Sequence, residues 1–154
     1  MTTPRSILFV CLGNICRSPL AEGVFRTVAA ERGLDGLRID SAGTGDWHEG
    51  ERPDPRAIAI AAHHGIDISR QRARKQNRAD FDAFDLILAM DRSNLDIVRA
   101  QAPAGREDRV RLYLDHTLGR MADVPDPYFG GPDEFASVYR MVHEASLALA
   151  AKLA

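Results

Sequence analysis

The sequence predicts an α/β fold: a four-stranded parallel sheet in the order 2-1-3-4 with helices on both faces, forming a single domain over residues 1–154. Three observations predict it. Short apolar runs alternate with segments of helical periodicity along the chain, the pattern of repeated strand–helix units. Two of those runs, Ile7 to Val10 and Leu86 to Met90, are apolar throughout, as strands buried on both faces must be, whereas the other two alternate, as edge strands do. At 154 residues the chain has room for one substantial core and not for a second.

Each element has its own signal. Ile7 to Val10 forms the first strand and runs into the loop Cys11-Leu12-Gly13-Asn14-Ile15-Cys16-Arg17. Leu20, Val24, Phe25 and Val28 then recur at helical spacing, with Ser18 expected to cap this helix, Pro19 in its first turn and Gly33 at its end. Leu37 to Asp40 alternates as the second strand, and Gly43 to Pro55 is a loop rich in Gly, Pro and Asp. A short helix over Pro55 to His64 is stopped by Gly65. Leu86 to Met90 is the third strand, and Asp91-Arg92-Ser93-Asn94 starts a helix that ends near Pro103. Val110, Leu112 and Leu114 alternate as the fourth strand, and Phe135, Val138, Tyr139, Val142 and Leu149 form the stripe of a final helix.

In a sheet of this order, ligands bind beyond the carboxyl ends of the strands where the order reverses, and the loop after the first strand lies there. It joins a strand end to a helix N-terminus, where backbone N–H groups lack intrahelical acceptors and the macrodipole favours an anion. A curled anion nest needs residues that tolerate positive φ, and Gly13 and Asn14 are such residues. Arg17 can add two parallel charge-assisted hydrogen bonds to a phosphoryl group, and the same field favours the nucleophilic thiolate of Cys11. A lone cysteine closing a strand is usually a small hydrophobe. Its placement ahead of a phosphate-sized loop makes the reactive reading of Cys11 the stronger one.

Attack of a thiolate on phosphorus calls for a proton donor to the departing oxygen. Asp46, Asp91, Asp115, Asp123 and Asp126 all fall near predicted strand-end loops and compete for that role. Asp126-Pro127-Tyr128 stands out, because the proline biases Asp126 to an extended backbone and Tyr128 offers an aromatic wall. Many Asp-Pro pairs are only turns, so the residues alone make Asp126 a modest favourite.

Composition narrows the partners. Net charge is −2 with both signs interspersed, so neither nucleic acid nor an acidic membrane surface is an expected partner. No apolar run is long enough to span a membrane, and a cytoplasmic location is expected. Two cysteines inside one loop give no disulfide framework, and no Cys/His cluster has zinc-site spacing, so no metal and no organic cofactor are expected. The basic run Arg70, Arg72, Arg74, Lys75 and Arg78 reads as a solvated face, and His63 and His64 as surface residues. Cys16, so close to Cys11, reads either as a buried small residue or as a resolving thiol that captures oxidised Cys11.

The stretch Cys11 to Pro19, CLGNICRSP, resembles residue for residue the signature loop of the low-molecular-weight protein-tyrosine phosphatase family. DSAGT at Asp40 to Thr44, Trp47, PDPRA at Pro53 to Ala57, HGI at His64 to Ile66, AMDRSN at Ala89 to Asn94 and DPYFG at Asp126 to Gly130 look like family blocks in order. The resemblance implies hydrolysis of phosphotyrosine proteins and small aryl phosphates through a phosphocysteine. It implies Cys11 as nucleophile, Arg17 as phosphoryl ligand and Asp126 as general acid. Leu12 to Cys16 and Ser18 would complete the phosphate loop, with Asn14 and Ser41 in a network that holds it curled and Ser18 donating to the Cys11 sulfur. Leu12, Trp47 and Tyr128 would line an aromatic slot. Ile15 is similar to the residue of tyrosine phosphatases, where the phosphoarginine-directed branch looks threonine-like. Gln71 stands where many relatives carry a histidine, which puts pH tuning through that position in doubt, and Phe129 stands where some have a second tyrosine.

Overall fold

The computed structural model describes residues 3–154. Four strands, β1 (Ser6–Cys11), β2 (Arg38–Gly43), β3 (Leu86–Ala89) and β4 (Val110–Leu112), form a parallel sheet in the order β2-β1-β3-β4, as the sequence predicts. The helices are α1 (Arg17–Glu31), α2 (Pro55–His63), α3 (Asp80–Ala83), α4 (Arg92–Gln101), α5 (Tyr113–Leu118) and α6 (Pro132–Leu153). No helix among the described residues is long and apolar enough to cross a membrane.

The alternation of β1 explains its central position. Ile7, Phe9 and Cys11 join the core formed with α1, α5 and α6, while Leu8 and Val10 join a second core with Phe81, Phe84, Leu95 and Val98 on the opposite face. On the first face Phe9 meets the rings of Phe25 and Tyr113 edge-on, at centroid separations of 6.0 and 5.6 Å. In the pairing of β1 with β2, Phe9 lies opposite Ser41 and Cys11 opposite Gly43. Both strands therefore end at the same level, and their exit loops meet.

Local signals set most helix ends. Asp54 caps α2 by accepting from the Arg56 amide at 2.8 Å, with Pro55 in the first turn and Gly65 at φ 79° beyond the end. Asp91 caps α4 by accepting from the Asn94 amide at 2.7 Å. Two expectations need correction. Leu114 is not in β4: the strand stops at Leu112 and α5 follows at once, where Leu114 and Leu118 are spaced i, i+4 on the helix, so Leu114 satisfies helical spacing as well as the alternation of Val110 and Leu112. Ser18 does not cap α1. That helix starts at Arg17 without a side-chain cap, and the Ser18 hydroxyl is engaged elsewhere.

Candidate active site

Residues 12–16 curl between the end of β1 and the start of α1. One left-handed residue turns the loop: Asn14 at φ 57°. Gly13 does not have positive φ, contrary to the expectation for it; a Cβ there would lie 3.1 Å from the His48 ring, close enough that the ring would have to shift slightly. Gly43 gives the loop room, because a Cβ would come within 2.8 Å of the Leu12 carbonyl oxygen.

The loop's carbonyls are tied to the surrounding frame. Cys11 O accepts from the Thr44 amide at 2.9 Å, Leu12 O from Gly45 at 3.0 Å and Ile15 O from Asp54 at 2.8 Å. Among the described residues, by contrast, no protein group accepts from the amides of residues 12–16. The loop thus presents free N–H donors at a helix N-terminus, which suits an anion.

A side-chain chain fixes its shape from behind. Asn14 Nδ2 donates to Ser18 Oγ at 2.8 Å and to Ser41 Oγ at 3.0 Å, while Asn14 Oδ1 accepts from the Arg74 amide at 3.0 Å. Ser18 Oγ lies 2.9 Å from Cys11 Sγ, and Ser41 Oγ donates to Glu22 Oε1 at 2.8 Å. The resemblance anticipated Asn14, Ser18 and Ser41 here, but Glu22 was not foreseen. Burial pushes its carboxyl above the ordinary value, against the hydrogen bond from Ser41 and the charge of Arg26. Its signal in the sequence is a glutamate one helical turn after Ser18, on an otherwise apolar face. Gln71 does not join the chain; its amide donates to the Pro19 carbonyl at 3.0 Å instead.

Arg17 is 3% exposed in its side chain and held from one side. Its Nη1 donates to Asp91 Oδ2 at 2.7 Å and to the Val124 carbonyl at 3.0 Å, and its Nη2 lies 3.6 Å from Asp126 Oδ2. Burial opposes its charge, but negative charge at Cys11, Asp91 and Asp126 outweighs it and holds the guanidinium protonated more firmly than an ordinary arginine. Of the competing aspartates, Asp126 is the one that lines the cavity over Cys11. Asp91 clamps Arg17, and Asp123 is tied to Arg92.

The cavity measures about 270 Å³. Cys11, Gly13, Ile15, Cys16 and Arg17 form its floor, while Leu12, Trp47, His48, Tyr128 and Phe129 form walls suited to an aromatic ring. Trp47 is 69% exposed, yet its ring lies so close over Gly45 that a Cβ there would fall 1.8 Å from it. His48 beside it pairs with Glu51 at 3.1 Å and tilts toward Tyr128. Cys16 is buried, and that burial, with Asp54, Cys11 and Asp126 nearby, raises its thiol far above the ordinary value. Arg74 departs from the solvated face assigned to it, bonding Asp40 and Asp80. The PDPRA block, quoted only as a resemblance, carries a further cluster: the Arg56 guanidinium bonds Asp54 and the carbonyls of Tyr128 and Gly130.

A family model described as low molecular weight phosphotyrosine protein phosphatase matches residues 6–154. A low molecular weight phosphotyrosine protein phosphatase of Schizosaccharomyces pombe is 46% identical over 142 residues, covering 90% of each chain. A low molecular weight protein-tyrosine-phosphatase of Streptomyces coelicolor is 46% identical over 150 residues, covering 94% of this chain and 91% of its own. The crystal structure of a protein tyrosine phosphatase from Entamoeba histolytica, with Hepes in the active site, superposes with a TM-score of 0.90 at 37% identity over 96% of both chains.

Proposed function

The chain belongs to the low molecular weight phosphotyrosine protein phosphatase family, and from that premise we infer that it hydrolyses phosphotyrosine in proteins, and small aryl phosphates, through a phosphocysteine on Cys11. The observation that carries this reading is the convergence on one aromatic-walled cavity of a thiol, a clamped guanidinium and a carboxyl, with Arg17 Nη2 3.6 Å from Asp126 Oδ2.

In the first step the Cys11 thiolate attacks phosphorus from the loop side. The S–P bond forms as the aryl O–P bond breaks, and Asp126 delivers its proton to the departing phenolate oxygen. Arg17 and the free amides of residues 12–16 receive the equatorial oxygens, whose charge they meet without reorganisation. In the second step the Asp126 carboxylate takes a proton from water, which attacks phosphorus; the S–P bond breaks and the thiolate returns. Ser18, 2.9 Å from the sulfur, supports the thiolate both as it attacks and as it leaves. Leu12, Trp47 and Tyr128 hold the ring, and Ile15 on the floor favours phosphotyrosine over phosphoarginine. The reading covers residues 1–154 as one phosphatase domain. It includes a cytoplasmic setting, where thiols such as Cys11 and Cys16 are kept reduced.

The test is Cys11→Ser beside the wild type, assayed with EDTA on phosphotyrosine, phosphoserine and phosphoarginine peptides. Wild type should hydrolyse phosphotyrosine far faster than the others, and acid-quenched samples should carry a phosphoryl group on the Cys11 peptide. The variant should bind inorganic phosphate without turnover. Steady-state hydrolysis by pure Cys11→Ser would remove the covalent step.

A further inference from the structure

We propose that Arg56 is a positioning residue for the general acid: its guanidinium fastens the segment carrying Asp126 to the phosphate loop, at a point remote from the reacting atoms. The proposal rests on the reading of Asp126 as the proton donor.

The segment from Val124 to Gly130 has no regular structure and crosses the mouth of the cavity. Upstream of Asp126 it is held at Val124, whose amide donates to the Met90 carbonyl at 2.8 Å and whose carbonyl accepts from Arg17 at 3.0 Å. Downstream it is held by Arg56. There Nη2 donates to the Tyr128 carbonyl at 2.8 Å and Nη1 to the Gly130 carbonyl at 3.1 Å, two acceptors that a lysine's single ammonium could not span in the same plane.

The other side of the guanidinium is fixed as firmly. Nε and Nη2 donate to the two oxygens of Asp54 at 3.0 and 2.9 Å, and the plane sits 4.6 Å from the Phe135 ring centroid at the start of α6. Asp54 is itself joined to the loop that cradles phosphate, since its amide donates to Ile15 O at 2.8 Å. The path from the phosphate loop to the acid segment therefore runs through Ile15, Asp54 and Arg56 to Tyr128.

Its purpose follows from what the acid must do. Proton delivery to a leaving oxygen requires placement within hydrogen-bond reach, and a carboxyl on a loose segment spends most of its time elsewhere. Arg17 alone cannot set that placement, because it faces Asp126 at 3.6 Å and grips Val124 on the upstream side only. Arg56 supplies the second anchor, so that two arginines bracket the acid.

The experiment measures kcat/KM, which covers the step that expels the phenol, for aryl phosphates ranging from p-nitrophenyl phosphate to phenyl phosphate. Arg56→Ala, Arg56→Lys, Asp126→Asn and the double variant Arg56→Ala/Asp126→Asn are compared with wild type. Arg56→Ala should lower kcat/KM about tenfold for phenyl phosphate and less than about twofold for p-nitrophenyl phosphate, because only a basic leaving group depends on the proton. Arg56→Lys should fall between, and competitive inhibition by inorganic phosphate should stay within about twofold of wild type, since the loop amides and Arg17 are untouched. In the double variant the Arg56 change should add nothing to Asp126→Asn.

A uniform loss across the series, a parallel loss of phosphate binding, or full additivity in the double variant would overturn the assignment of Arg56. If Asp126→Asn itself has no steeper leaving-group dependence than wild type, the acid lies elsewhere, a separate failure. Should Arg56→Ala not fold, as judged by circular dichroism, Arg56→Lys carries the same comparisons.

Discussion

Replacing Asn14 by alanine isolates the energy stored in the curl of the phosphate loop. The side chain makes three hydrogen bonds, to Ser18 at 2.8 Å, to Ser41 at 3.0 Å and from the Arg74 amide at 3.0 Å. At about 1 kcal/mol each they account for about 3 kcal/mol, and the left-handed backbone at φ 57° adds about 1 kcal/mol for a residue with a Cβ and no local bond to offset it. The sum, about 4 kcal/mol, is a large share of the stability of a domain this size, and it should lower Tm by roughly 10 °C. Asn14→Gly removes the same bonds but tolerates the backbone, so it should be about 1 kcal/mol milder than alanine. Urea unfolding followed by far-ultraviolet circular dichroism is the assay, because Trp47 is already 69% exposed and its emission reports unfolding poorly. Phosphate affinity should fall alongside stability. A loss below about 1 kcal/mol in Asn14→Ala, or glycine no better than alanine, would mean that the loop holds its shape without this network.

Glu22 and Cys16 yield two further outcomes. Burial raises the Glu22 carboxyl above its ordinary value of 4.5, so between that value and the folded one the native state binds more protons than the unfolded chain, and stability falls as pH rises through this window. Stability measured from pH 4 upward should therefore show Glu22→Gln gaining on wild type as pH rises; a constant difference would show that Glu22 is not titrating in the fold. Peroxide should convert Cys11 to a sulfenic acid, which the Cys16 sulfur attacks with loss of water to give a disulfide that a dithiol reverses. Cys16→Ser should retain less recoverable activity after the same exposure. Equal recovery, with no Cys11–Cys16 disulfide by mass spectrometry, would reduce Cys16 to packing.

The fold was legible because burial on two faces leaves a signature that needs no partner to read: Ile7 to Val10 and Leu86 to Met90 carry no polar interruption, and they are the central pair. Where two periods coincide the signature fails, as at Leu114, which fits both the strand and the helix that replaces it. At the site, Cys11 and Arg17 were readable because one short loop holds both. Asp126, far along the chain, was only a modest favourite among five aspartates, because nothing local ties a distant Asp-Pro turn to the loop after the first strand. Glu22 and Arg56 act through groups 19 and about 72 residues away, respectively, and no local pattern encodes such pairings. Ser18 misled for a related reason: a serine at a helix start is a cap by default, unless a sulfur and an amide claim it first.

The contrast between the cavity's floor and its rim bears on how such a protein changes over time. The floor is cross-braced, so that altering Asn14, Ser18 or Arg17 disturbs several partners at once. Phe129 at the rim is 97% exposed and Leu12 is 42% exposed. A substitution there changes little that folding depends on, while it alters the surface that an approaching phosphoprotein first meets. Substrate preference can thus drift by single steps through viable intermediates, with the reaction carried along unchanged beneath it.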